Sequence, residues 1–214
     1  TAYIVFRHVA EYLEQHPEWD VDIVGVRSFT DDKRFLDYLV DNLRDGLERE
    51  FRDAKPEDVC LFLPVHGNIT VWEDRGDPYR KQITRVMQYL RDRFPKHYVA
   101  YGFQNHDEIP FIKWTKPSWK TVIEDLATRK CSKILASGQI SFTVDSLETL
   151  FDHSIEAPRL LSKISSQLGT QKTYALVPMF NNSPRFALLL RDLSMDALNG
   201  IGDLLKIKPG KSPE

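Results

Sequence analysis

Two cysteines in 214 residues are too few for a disulfide-stapled scaffold, and neither sits in a C-x-x-C or Cys/His spacing that would hold zinc or an iron–sulfur cluster. Cys60 and Cys131 therefore read as buried thiols of an intracellular, reducing compartment. An excess of charge is missing too. The 29 Lys and Arg residues against 31 Asp and Glu leave a formal net charge of −2, which excludes the electrostatic footprint of a nucleic-acid binder. No apolar run approaches the roughly 18–20 residues that cross a bilayer, and there is no internal repeat or low-complexity segment. What is present is an ordinary globular composition, 42% hydrophobic, sufficient for a sizeable core.

Hydrophobic periodicity divides the chain into alternating helices and strands. Helices are expected over 1–15, with Ile4, Val5, Val9, Tyr12 and Leu13 inward, and from Asp31 or Asp32 to Phe51. Others are expected from Pro78 to about Phe94, after Ser118 to about Thr128, over 158–168 and over 184–199. Strands are expected at 21–26, 59–65, 98–103, 133–139 and 173–176. Helices of this length between short β-branched strands imply parallel βαβ units, hence an α/β fold with a doubly wound sheet. Residues 104–116 form a long aromatic loop without a period, of the kind that is functional or mobile. Residues 1–205 read as the folded domain and 206–214 as a polar tail.

The chemistry concentrates in two stretches. In Ser141–Glu156, Val144, Leu147, Phe151 and Ile155, with Leu150, recur at spacings of three and four, which predicts the buried face of an α-helix. Asp145, Glu148, Asp152 and Glu156 recur one residue further along, so they line the edge of that stripe. Carboxylates stacked one turn apart repel, and this favours a cation beside them. Spacing alone favours a solvated acidic face over the sharper reading, a row of oxygen ligands that passes a divalent metal along a cleft wall. The second stretch, Cys60-Leu-Phe-Leu-Pro-Val-His66-Gly67-Asn68, is an apolar strand ending at a histidine, and in open α/β sheets ligands gather beyond such strand ends.

These residues, taken in order with others, resemble the ferrochelatases, which insert ferrous iron into a porphyrin. The His66 segment is similar to the family's Phe-Ser-Ala-His-Gly/Ser-Leu-Pro, and Arg75-Gly-Asp-Pro-Tyr79 to its Arg-Gly-Asp-Pro-Tyr. Trp114-Thr-Lys-Pro117 resembles its Trp-Leu-Lys/Gly-Pro. Phe142–Phe151 resembles Phe-Val-Ser-Asp-His-Ile-Glu-Thr-Leu-Tyr, and Asn182-Ser-Pro-Arg-Phe186 the turn into the family's last helix. Departures are Pro64 and Val65 for Ser-Ala, Asn68-Ile69 for Leu-Pro, and Ser146 for the family's histidine.

The resemblance implies a Rossmann-like, chelatase-type sheet with helices on both faces, and that the chain is the family's carboxyl-terminal half with Thr1 internal to a longer protein. It implies His66 and Glu148 as catalytic residues, and His66, Glu148, Asp152 and Glu156 as those that meet the metal. Asp145 follows behind them. His153, beside the row, and His106, in the long loop, read as bystanders, while Tyr79, Trp114 and Asp77 shape the fold. The implied partners are a porphyrin (protoporphyrin or coproporphyrin), ferrous iron, the amino-terminal half of the family and the periphery of a membrane. No cofactor beyond the substrate iron is implied, and no iron–sulfur cluster. The location would be the cytoplasm of a bacterium or the matrix side of a mitochondrion or plastid. Two alternatives stay open: a same-fold chelatase for another metal or tetrapyrrole, and a non-catalytic relative that binds porphyrin.

Overall fold

The computed structural model describes residues 2–19, 21–104 and 111–207; His106 and positions 208–214 of the expected tail lie outside them. In chain order the elements are α1 (Ala2–Gln15), β1 (Ile23–Ser28), α2 (Lys33–Phe51), β2 (Val59–His66), α3 (Thr70–Asp74) and α4 (Tyr79–Arg93). There follow β3 (Tyr98–Gln104), α5 (Trp119–Thr128), β4 (Lys133–Ala136) and a π-helical segment, Glu148–Glu156. The π-helix runs on into α6 (Ala157–Gln167), before β5 (Thr173–Leu176), α7 (Pro184–Leu198) and β6 (Asp203–Ile207). These fall into two compact units, Leu36–Asn181 and Thr1–Phe35 with Asn182–Glu214. Among the described residues no helix is long and apolar enough to cross a membrane.

The unit Leu36–Asn181 is built on a four-stranded sheet in the order β3-β2-β4-β5, parallel throughout. The unbroken apolar run of β2 is buried at every position from Val59 to Val65, as a central strand covered on both faces must be. Pro64 does not break it. The Phe62 carbonyl accepts from the Ser137 N–H at 2.9 Å, just where pairing with β4 ends at Ala136. Pro64 has the same parity as Phe62, so its missing N–H faces the side on which no further strand residue awaits it.

On one face Cys60, Phe62, Ile134 and Ala136 pack with Trp119, Ile123 and Leu126 of α5 and Leu161 of α6. On the other lies α2, whose approach depends on Gly46: a Cβ there would come 2.8 Å from Val177 and 3.2 Å from Leu135. Gly102 does the same for α5, since a Cβ would sit 2.7 Å from the Trp119 Cα. Helices therefore cover both faces of a parallel sheet, the architecture expected.

In the other unit, Ala10 and Leu13 of α1 pack with Phe6, Val9 and Ile23. Ile4, Val5 and Tyr12, expected inward, are exposed. The strand expected at 21–26 does not join the parallel sheet. As β1 it pairs antiparallel with β6, Val24 opposite Lys206, so β6 reaches past the position where the tail was expected to begin. Arg34 ties this unit together, its Nη2 lying 2.6 Å from Asp32 Oδ2 and 2.7 Å from Asp196 Oδ2.

Two further expectations are overturned. Cys60 and Cys131 are not free thiols but a disulfide with a Cα–Cα distance of 5.8 Å, so the inference of a reducing compartment loses its premise. Chain folding places the turn after α5 beside the start of β2, a proximity that spacing in the sequence does not reveal. The predicted buried stripe of the acidic helix also faces outward: Leu147 is 77% and Phe151 46% exposed, with Val144, Leu150 and Ile155 exposed as well. Thr149, His153 and Ala157 are the residues inside. Their spacing of four matches the wider turn of a π-helix, and small Ala157 packs into the core cluster that α5 and α6 form on the sheet.

Candidate active site

The chain goes from β2 to β3 on one side, then crosses back to place β4 on the other side of β2. Strand order therefore reverses between β2 and β4, and the crevice beyond the carboxyl ends of two such strands is where open α/β sheets bind ligands. His66, the last residue of β2, is exposed after seven buried positions. The segment leading to the acidic π-helix leaves β4 on the same rim.

Several segments hold the His66 main chain. The Tyr79 hydroxyl lies 3.0 Å from the His66 carbonyl and 2.8 Å from Ser141 Oγ, and the His66 N–H donates to Ser141 Oγ at 3.1 Å. Burial pushes the Tyr79 hydroxyl up to about 12, so it stays protonated and able to donate. The Phe142 ring meets the imidazole edge-on at 6.0 Å between centroids. Beyond His66, Asn68 and Thr115 exchange bonds of 3.0 and 2.9 Å, and Ile69 forms an antiparallel bridge with Trp114. Asp77 Oδ1 accepts from the Tyr79 N–H at 2.8 Å and so caps the start of α4. The Arg-Gly-Asp-Pro-Tyr and Trp-Thr-Lys-Pro motifs, far apart in sequence, thus converge on the loop that carries His66. Ser141 belongs to this network, and no pattern in the sequence distinguishes it.

The acidic segment opens with a reciprocal cap. The Ser146 N–H donates to Thr149 Oγ1 at 2.8 Å, and the Thr149 N–H reaches Ser146 Oγ at 3.4 Å. Ser146, which departs from the family's histidine, therefore has a structural task here. Asp145 has one as well: Asn181 Nδ2 donates to Oδ2 at 2.8 Å, and Thr149 Oγ1 lies 3.2 Å from Oδ1. Glu148, Asp152 and Glu156 are half-buried between the inward face of the helix and its exposed apolar face. Glu156 Oε1 lies 3.2 Å from Lys120 Nζ. Among the described residues no group of three or more His, Cys, Asp and Glu side chains converges on a metal-sized point, so these carboxylates form a row and not a cage.

His153 turns away from the row. It is fully buried, its ring edge-on to Phe62 and Trp119 at 6.4 and 6.0 Å, and its Nε2 is hydrogen-bonded to Gln104 Oε1 at the end of β3. Burial holds the imidazole down at about 4, against the pull of the nearby Glu148 carboxylate.

Fold and site together give an α/β domain on an open parallel sheet, with an exposed histidine at the end of β2 and a row of half-buried carboxylates in the segment that leaves β4 on the same rim. The family model for ferrochelatase matches residues 1–198. A ferrochelatase of Geobacter metallireducens is 28% identical over 173 residues, covering 80% of this chain and 51% of that protein. One of Cyanothece sp. is 25% identical over 200 residues, 91% of this chain and 48% of that protein. Ferrochelatase-1, chloroplastic/mitochondrial, of Arabidopsis thaliana is 27% identical over 167 residues, 74% of this chain and 34% of that protein. The chain belongs to the ferrochelatase family. It spans about half the length of the two bacterial relatives.

Proposed function

We propose that the protein inserts ferrous iron into a porphyrin, protoporphyrin or coproporphyrin, acting together with the remaining half of the family's length. The observation that carries this reading is the outward apolar face of the acidic segment, where exposed Leu147 and Phe151 adjoin half-buried Glu148 and Asp152 in a stretch that leaves β4 on the rim where His66 ends β2. A flat apolar ring needs such a wall, and a divalent ion needs oxygen ligands beside it.

Metallation releases two pyrrole N–H protons and replaces the water around the ion with four ring nitrogens. The exposed His66 imidazole accepts a proton, its main chain fixed by Tyr79 and Ser141. Glu148 is its partner in proton or metal transfer. Asp152 and Glu156 bring the ion, since carboxylate oxygens hold ferrous iron loosely enough to hand it on. Contacts with the apolar wall offset the strain, of order 1–5 kcal/mol, of bending the ring so that a nitrogen lone pair leaves its plane.

The test is porphyrin binding, followed by fluorescence, in Leu147→Asp and Phe151→Asp. Both side chains are exposed, so circular dichroism should not change. Losing the buried contact of one such side chain, worth about 1.5–3 kcal/mol, should weaken binding roughly ten- to a hundredfold. Undiminished affinity in both variants would remove the ring from this face.

A further inference from the structure

The outer end of the carboxylate row is occupied by a cation of the protein itself. Lys120, in the first turn of α5, places Nζ 3.2 Å from Glu156 Oε1. The same Nζ lies 5.4 Å from the centroid of the Trp119 ring, within cation–π range. Trp119 is buried and meets His153 of the π-helix edge-on, so the root of this lysine is fixed to the core on which the row is built. The position is unfavourable for a cation on α5 alone, because the first turn of a helix carries the positive end of its dipole. No acidic residue of that first turn offsets it. Glu156, from another element, does.

We propose that Lys120 is a tethered competitor that gates Glu156 for divalent cations. The inference rests on the reading of the row as the path of the substrate ion. An ammonium and a metal ion seek the same carboxylate oxygens, so an ion reaches Glu156 only by displacing Lys120. The exchange favours a divalent ion, which brings twice the charge to Glu156 and to Asp152 one turn away. The displaced ammonium remains over the Trp119 face and returns when the ion moves on. Lys120 thereby keeps the outer end of the row from trapping the ion it admits.

Calorimetric titration of the chain with Co2+ tests this in the wild type, Lys120→Met, Lys120→Arg, Glu156→Gln and the Lys120→Met/Glu156→Gln pair. An exposed ion pair of this kind sets the scale of the competition, so Lys120→Met should tighten Co2+ binding roughly two- to fivefold. That gain should vanish near 1 M salt, where charges are screened within about 3 Å. Lys120→Arg, which keeps the charge, should bind as the wild type does. Glu156→Gln should weaken binding, and adding Lys120→Met to it should change nothing more. Weaker binding in Glu156→Gln with no gain in Lys120→Met overturns the gate and leaves the row intact. Unchanged binding in Glu156→Gln overturns the gate together with the row's reading at this end.

Discussion

A neutral His153 in the core is a liability in acid. Burial keeps its folded-state pKa at about 4, below the ordinary value of 6.5. Between those values the unfolded chain binds a proton that the folded imidazole refuses, so its contribution to stability is complete above pH 6.5 and is lost as the pH falls through the window. The loss should amount to about 3 kcal/mol. Chemical denaturation at a series of pH values should show this fall in the wild type and a shallower one in His153→Leu; equal slopes would contradict it. In the sequence His153 stands among carboxylates and reads as their neighbour. Its actual surroundings, Phe62, Gln104 and Trp119, come from three other segments, and no local pattern could have named them. Ser146 is the opposite case: Ser-x-x-Thr before a helix is a spacing with a mechanism, and its capping role could have been read directly.

At the scale of elements, the acidic helix was legible as amphipathic but not in its direction. Periodicity finds a face, and a face can pack on the chain's own sheet or on something else. Here Thr149, His153 and Ala157 take the sheet, and Leu147 and Phe151 look outward. The carboxylate row keeps its place at the edge of the stripe either way, because the one-residue offset survives the widening of the turn. If the row concentrates the ion, Asp152→Asn with Glu156→Gln should raise the half-saturating metal concentration in porphyrin metallation more than it lowers the limiting rate. A solvated face predicts no change in activity. The disulfide belongs to this scale too, tying the start of β2 to the turn before β4. Replacing both Cys60 and Cys131 by alanine should lower the free energy of unfolding by about 2–4 kcal/mol, measured against the oxidised chain. An unaltered denaturation midpoint would show that the link contributes nothing.

For the whole molecule, the alternation of helix and strand made the parallel sheet readable, and the apolar run ending at His66 marked a buried strand. The reversal of strand order between β2 and β4 was not readable, since strand order depends on contacts that periodicity does not record. That reversal gives His66 its setting, a strand end on the rim from which the acidic segment also departs. Tyr79, Ser141, Thr115 and Trp114 then hold that setting from distant positions in the sequence. The central claim is that His66 accepts the proton a porphyrin must lose. Its most direct test is ferrous-iron insertion followed by porphyrin absorbance, with the remaining half of the family's length supplied, comparing wild type with His66→Ala. The variant should keep its circular dichroism spectrum, because an exposed strand-end side chain supports little core, and should lose on the order of a hundredfold or more in rate. A near-normal rate in His66→Ala would contradict the account.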